Sequence, residues 1–441
     1  MSVLGRCYRM VLLTGGVVWL SLSTAFAAKV DTFYVDEFLR ITESSPIWES
    51  PQFFQLLSNE VQLLANDGLL PHRYPLIEQD ALLYQLKQHQ AIPETIRFDV
   101  IHQYFRALTD LHYGPTLIAG VEPYLSYPEA TRSISIDFNN ILNFALSGMD
   151  DPAEAFALAR PDYGPYQQLR ATFEATERFG GLTEAQRLTV QINLERLRRL
   201  GHKVSEQMLL VDIAGAELML FDGSPVPVLR QASQVGRTDR QTPLMWSEIT
   251  HLTVNPFWTV PPTVYREDML PQIRQDLGFL QDNQIQVLDF DGRPLNPASI
   301  NWRNPGRILL RQSPGDLNEL GRLVVRFPNN EAIFLHDTPS QGYFSQNMRA
   351  LSSGCIRLQE APELAHQLLS VSQTDAADQL DHLLSTGRTQ ELFLEQRIPV
   401  LLAYWTVELD ADKGLSFRSD IYGLDEPMKQ FFRDLAALEG S

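Results

Sequence analysis

The chain has 441 residues, 44% of them apolar and 20% charged, and carries a formal net charge of −18. That length calls for two or three cores rather than one, and that composition for a folded globular protein without low-complexity tracts. The acidic balance, with no run of basic residues, argues against nucleic acid and anionic lipid as partners.

In chain order, Arg6 and Arg9, the apolar stretch Met10–Leu22 and Ala25-Phe26-Ala27 have the layout of a secretory leader cleaved after Ala27. The stretch is short and rich in Gly, Ser and Thr, so no stable membrane insertion is expected after cleavage. Loss of residues 1–27 removes Cys7 and leaves Cys355 as the only cysteine of an exported chain. A thiol without a disulfide partner in such a compartment invites a reactive role.

Residues 28–205 read as a helical scaffold. Apolar spacing predicts helices over Phe53–Leu64, Gln79–Gln90, Arg97–Leu111, Asp151–Leu158 and Tyr166–Phe179, the first stopped by Asn66-Asp67-Gly68. Thr183–Leu200 is the clearest: Thr183 with Gln186 resembles a capping box, and Gly201 follows the last turn. Its Arg187, Arg196, Arg198 and Arg199 are expected on a solvated face.

From 206 to 441 the periodicity turns to strands: Met208–Ile213, Glu217–Phe221, Val226–Arg230, Ile308–Arg311, Arg322–Phe327, Ala332–Leu335, Val400–Leu409 and Leu415–Arg418. Asp222-Gly223 and Asp410–Gly414 mark hairpin turns. The sheet is expected to be mixed or antiparallel. Between 256 and 313 strand regularity is lost, with one helix predicted over Arg266–Leu280. So long an irregular insertion is expected to form a cap over a site. The fold class is α+β, a helical scaffold followed by a β-rich domain.

The chemistry gathers between His336 and Arg357. His336 ends an apolar run, and Cys355 sits in Ser352-Ser353-Gly354-Cys355-Ile356-Arg357. A thiol needs a nearby base to become nucleophilic at neutral pH, and a preceding glycine lets a substrate carbonyl approach main-chain N–H groups. Cys355 is therefore the candidate nucleophile and His336 its base, with the N–H groups of Gly354 and Cys355 as oxyanion donors. The plain alternative is an inert buried cysteine, against which the polar Ser-Ser-Gly context speaks. Ser352 and Ser353 either bond the reacting groups or shape the turn. Arg357 either holds a substrate carboxylate or pairs with an acid, and Arg349 poses the same choice. Tyr343 and Trp258 are candidates to flank a cleft. No CxxC, HExxH, Walker or GxGxxG pattern occurs, so no metal or other cofactor is expected. The absence of G-x-S-x-G lowers a serine nucleophile.

His336-Asp-Thr-Pro339 and Ser352–Arg357 together resemble the catalytic signature of the L,D-transpeptidases, with their YkuD-type domain. Arg240-Gln-Thr-Pro243, Asn255–Pro261, Pro314–Gly321, Phe327-Pro-Asn329 and Asp420-Ile-Tyr-Gly423 are similar to the long, YcbB-like branch of that family. The resemblance covers about residues 205–425. It implies a periplasmic acyltransferase acting on peptidoglycan stem peptides. Cys355 would attack an L-to-D peptide bond, with His336 accepting and returning the proton. A thioester would form and pass to an acceptor amine, giving a 3-3 crosslink. Other outcomes of the same thioester are a crosslink from the first stem residue, L,D-carboxypeptidase action or D-amino-acid exchange. Covalent inhibition by carbapenems is also implied.

Two departures stand out. Ser353 replaces a second histidine found in many members, and no small helical peptidoglycan-binding module is evident. Two other classes remain: a non-catalytic wall-binding scaffold, and a cysteine protease, for which only Asp337 offers an orienting carboxylate. No protein partner can be named from the sequence.

Overall fold

The computed structural model describes residues 32–76, 92–115, 136–200, 206–224, 226–410 and 414–437. The leader and the Gln79–Gln90 helix lie outside them. Helices occupy residues 32–41, then Pro51–Leu63, Glu94–Tyr113, Phe138–Ser147, Pro152–Ala159, Gly164–Arg178 and Glu184–Leu200. Ser50 starts the first of the named helices, its hydroxyl accepting from the Phe53 N–H at 3.2 Å with Pro51 at the first helical position. Phe38, Phe54, Leu57, Ile101, Tyr104, Phe105 and Phe156 meet in one buried helical core.

Helix Glu184–Leu200 begins as its capping box requires. The Thr183 N–H donates to Gln186 Oε1 at 2.9 Å, and the Gln186 N–H donates back to Thr183 Oγ1 at 3.3 Å. Its arginines depart from expectation, because Arg196 and Arg198 are only 2% and 1% exposed. Arg198 pairs with Glu195 and donates to the main-chain oxygen of Asp67. The Asp67 carboxylate is held by Arg160 and Arg170, each at 2.9 Å, and by the Tyr166 hydroxyl at 3.0 Å. Arg196 pairs with Asp425 at 2.6 Å, and Asp425 also accepts from Thr406. The helix is thus wedged between the helical core and the C-terminal part, its cations buried because each finds acids there.

The strands are β1 (Gln207–Asp212), β2 (Glu217–Asp222), β3 (Leu229–Gly236), β4 (Met245–Val254), β5 (Trp258–Thr259), β6 (Ile285–Leu288) and β7 (Leu309–Gln312). After them come β8 (Leu323–Arg326), β9 (Leu335–His336), β10 (Ala350–Ser352), β11 (Ile356–Leu358), β12 (Gln390–Ala403), β13 (Val407–Asp410) and β14 (Gly414–Phe417). The main sheet runs β10-β3-β11-β9-β8-β4-β12-β1-β2, and β2 also pairs with β3, so it closes on itself. It is mixed: β1 with β12, β3 with β10 and β9 with β11 are parallel. Leu209, Val211, Leu220, Leu252, Val325, Leu335, Ile356 and Val400 fill its interior with Leu364, Leu368 and Leu380 from helices Ala361–Val371 and Ala377–Thr386. Sequence periodicity missed those helices. It also missed β4, whose Ser247, Glu248, Thr250 and His251 obscure the alternation.

Residues 256–313 are more regular than expected. They form a second sheet, β5-β7-β6, with a π-helical turn at Val264–Met269 and helices Leu270–Gln275 and Gly278–Asp282. The single helix predicted over Arg266–Leu280 breaks at Asp276, which is extended and whose carboxylate accepts from the Gly278 N–H at 2.8 Å. Trp258, Ile273, Leu280, Val287, Trp302 and Leu310 pack together, and Val324 of β8 joins them. Val324 lies opposite His336 on β9. The insertion therefore rests on the outer sheet face at β8 and β9. Among the described residues no helix is long and apolar enough to cross a membrane.

Candidate active site

β9 and β11 run parallel, with Leu335 opposite Ile356 and His336 opposite Arg357. Leu335 and Ile356 point inward and are fully buried. Alternation then puts His336 and Arg357 side by side on the outer face. Cys355 precedes β11 at the edge of the inner core, half-buried and free of any disulfide. Phe334 touches both groups. Its ring lies 5.7 Å from that of His336, and its main-chain N–H is directed at the Cys355 thiol. The thiol itself donates to the Ala332 carbonyl at 3.8 Å rather than to the imidazole.

The histidine is oriented by the main chain. Its Nδ1 lies 2.6 Å from the Asp337 carbonyl oxygen. A carbonyl can only accept, so Nδ1 carries the proton and Nε2 keeps the lone pair a base requires. The Asp337 carboxylate is occupied elsewhere, accepting from the Arg322 and Thr338 N–H groups at 2.8 Å each.

The resting pair is neutral. Burial depresses the His336 imidazole from 6.5 to about 3, and the positive charges of Arg357 and Arg326 add to the effect. Burial pushes the Cys355 thiol up to about 11 against the opposing pull of the Phe334 N–H and of Arg326 and Arg357. The same two guanidiniums act on both groups, so thiol and ring share one electrostatic neighbourhood. Burial thus disfavours the charged form of both groups in the resting site.

Residues 206–380 match the model of the YkuD family, the L,D-transpeptidase catalytic domain. By that match, residues 206–380 resemble an L,D-transpeptidase catalytic domain. Residues 34–173 match a scaffold domain. A Haemophilus influenzae protein named as a candidate L,D-transpeptidase is 32% identical over 222 residues, 49% of this chain and 44% of the relative. The match thus spans less than half the length of that curated relative. Two solved structures are similar over 45% of this chain. One is the Ldtfm–avibactam carbamoyl enzyme, at 10% identity, a TM-score of 0.22 and 49% of its own length. The other is an L,D-transpeptidase from Mycobacterium smegmatis, at 14% identity, a TM-score of 0.22 and 58% of its length.

Within the transpeptidase domain the Ser-Ser-Gly-Cys turn is built by its own side chains. Buried Ser352 donates to the Cys355 carbonyl at 2.5 Å and accepts from the Gly354 N–H at 3.1 Å. Gly354 adopts φ +114, a conformation that L side chains rarely reach. Its carbonyl accepts from Thr242 Oγ1 at 2.7 Å. The Gly354 N–H, expected to face an oxyanion, is therefore engaged inside the turn. The Cys355 N–H is the donor with no such partner. Ser352 thus braces the turn through both bonds.

Arg357 reaches Glu319 at 3.2 Å, so it pairs with an acid while its charge still acts on the reactive pair. Arg349 is structural, holding the main-chain oxygens of Ser233, Gly215 and Ala216. Trp258, expected on the cleft wall, is 9% exposed and packs within the cap's apolar cluster. Its neighbour Phe257 is the exposed aromatic, at 50%. Tyr343 is exposed on the turn Gln341–Ser345. Ser353 accepts from Arg237 Nη1 at 3.3 Å and Arg240 Nη1 at 3.2 Å.

Sequence reasoning missed Arg326, Thr242 and the Asp337 carbonyl. The last leaves no trace in residue type, since any residue carries that oxygen. Among the described residues no group of three His, Cys, Asp or Glu is placed to hold a metal ion. A cavity of about 810 Å³ lies away from the thiol, lined by Met208, Met219, Leu401 and Trp405 beside helix Gly164–Arg178.

Proposed function

We propose that the protein is a cysteine-dependent peptidoglycan L,D-transpeptidase of the periplasm. Residues 1–27 would be its leader, 28–205 a helical scaffold, and 206–441 the catalytic domain, with 256–313 as the cap. The observation that carries the reading is the common neighbourhood of Cys355 and His336, with Nδ1 held by a carbonyl and Nε2 left as the base.

As the thiol sulfur bonds the carbonyl carbon of an L-to-D peptide bond, its proton passes to His336 Nε2. Because the resting pair is neutral, attack and proton transfer go together rather than in sequence. The Cys355 N–H donates to the oxyanion, and Arg357 and Arg326 favour the negative charge gathering on sulfur and oxygen. The tetrahedral adduct collapses, the C–N bond breaks, and the imidazolium returns the proton to the leaving D-amino acid. An amine of a second stem then attacks the thioester, gives its proton to His336 and displaces the sulfur. The product is a crosslink, 3-3 when the acyl donor is the third stem residue. Carbapenems would acylate the same sulfur.

Incubation of the purified protein with tetrapeptide muropeptides tests this. Crosslinked dimers are expected by mass spectrometry, with fragment masses assigning the acyl to the third residue, and none from folded Cys355→Ala. Tripeptide without dimer would make water the acceptor. An inert mixture together with a thiol that no carbapenem labels would leave a wall-binding scaffold instead.

A further inference from the structure

Between the cap and the nucleophile's loop lies a cluster that the mechanism above leaves unused. Arg237 and Arg240 flank the turn after β3, and both point a terminal nitrogen at Ser353 Oγ, two residues before Cys355. The same loop supplies Thr242, whose hydroxyl holds the Gly354 carbonyl. The two guanidiniums thus sit on the segment that cradles the nucleophile's turn.

Arg237 Nε also donates to its neighbour Asp239, at 2.9 Å to Oδ1 and 3.2 Å to Oδ2, and the partner the two arginines share is a carboxylate of the cap. Arg240 meets both oxygens of Asp268, Nη1 to Oδ2 at 2.6 Å and Nη2 to Oδ1 at 3.3 Å, and Arg237 Nη2 reaches Oδ1 at 3.2 Å. Glu267 also pairs with Arg240. Both acids lie on the π-helical turn Val264–Met269, a widened turn of a kind often found at functional sites. One planar carboxylate held by two forks is the geometry with which arginines recognise a free carboxylate.

The anchorage is uneven. The Arg240 side chain is 12% exposed, whereas Asp268 is 36% and Glu267 62% exposed. Arg240 is the anchored cation, Arg237 at 32% is about as exposed as Asp268, and Glu267 faces water. Half-exposed pairs of this kind hold weakly, and replacing one carboxylate by another exchanges like for like.

We propose that Arg237 and Arg240 form a receptor for the free α-carboxylate of the donor peptide, and that Asp268 is its internal stand-in, displaced when the donor binds. The proposal rests on the reading of the protein as an L,D-transpeptidase. The leaving D-residue of such a donor bears its α-carboxylate one residue beyond the bond under attack, beside the turn that carries Cys355. The receptor therefore selects donors ending in a free acid, and occupying it uncouples the cap from the catalytic loop.

Titration calorimetry on Cys355→Ala, which cannot turn over, tests the receptor apart from catalysis. The probes are a stem tetrapeptide ending in D-alanine as free acid and the same peptide as carboxamide. The acid is expected to bind about tenfold more tightly. Arg240→Gln should reduce it to the affinity of the amide while leaving the amide unchanged, and Arg240→Lys should restore part of the difference. Arg237→Gln, farther from the buried end of the cluster, provides a second variant should Arg240→Gln unfold. Asp268→Asn should tighten the acid several-fold and leave the amide alone, because the competitor is gone. Equal affinities for acid and amide, no binding of either, or weaker acid binding by Asp268→Asn would each overturn the proposal. If the wild type forms dimers yet binds both peptides equally, only the receptor falls. If it discriminates but forms no dimers, only the transpeptidase reading falls.

Discussion

Two regions of this molecule bury arginines, and they do so on opposite terms. Around helix Glu184–Leu200, Arg196 and Arg198 are matched by Asp425 and Glu195, and Asp67 gathers Arg160, Arg170 and the Tyr166 hydroxyl. Charge there is neutralised locally and serves to join the helical part to the sheet. At β8–β11, Arg326 and Arg357 instead press on a thiol and an imidazole that burial has already made hard to ionise. Arg326 is met by Thr253 Oγ1 and the Phe334 ring, and Arg357 by a half-exposed Glu319. Buried charge matched by acids holds an architecture, whereas part-buried charge that meets titratable groups biases their ionisation.

The contrast breaks most sharply at His336. His336→Gln keeps the ring's place but not its basicity, and should cost about 10²- to 10⁴-fold in dimer formation. The imidazole is depressed to about 3 when folded against 6.5 ordinarily, so the unfolded chain binds the extra proton between those values. Wild-type stability should therefore fall as pH drops from about 6.5 toward about 3. His336→Gln should flatten that part of the profile in urea melts. A profile identical in both proteins would remove the buried, neutral imidazole from the account.

At the architectural region, Asp67→Ala strands Arg160 and Arg170 and should destabilise by about 3–5 kcal/mol. Equilibrium unfolding measures it. A loss below about 1 kcal/mol would show that the network is no more than a solvated surface cluster.

The smallest effect sharpens the catalytic side. Iodoacetamide labelling of Cys355 should rise with pH until the thiol ionises at about 11. Arg357 lowers that value, so Arg357→Gln should move the midpoint upward and slow labelling at any pH below it. A downward shift would mean that the guanidinium does not act on the sulfur.

Much of this was legible in the residues themselves. Apolar spacing marked five of the scaffold helices described here but missed those at 32–41 and Phe138–Ser147, and the Thr183/Gln186 cap appears as read. The short apolar runs became β1, β2, β7, β8 and the β13–β14 hairpin. β4 escaped because Ser247, Glu248, Thr250 and His251 interrupt its apolar pattern. The arginines of Glu184–Leu200 were misplaced for a related reason. A helix with charge on one face looks solvated until a second body brings acids to that face.

What the sequence by itself determined is a pairing of residue types. A histidine after an apolar run and a cysteine in a Ser-Ser-Gly turn single out a candidate nucleophile and base, because reactivity belongs to side chains. Only the tertiary structure decided how they are served. Asp337 orients the ring through its carbonyl, Ser352 occupies the Gly354 N–H, Trp258 turns into the cap, and Asp268 reaches across to Arg237 and Arg240. Main-chain atoms carry no residue identity, and a contact spanning dozens of positions depends on where the chain returns, so local spacing holds no record of either.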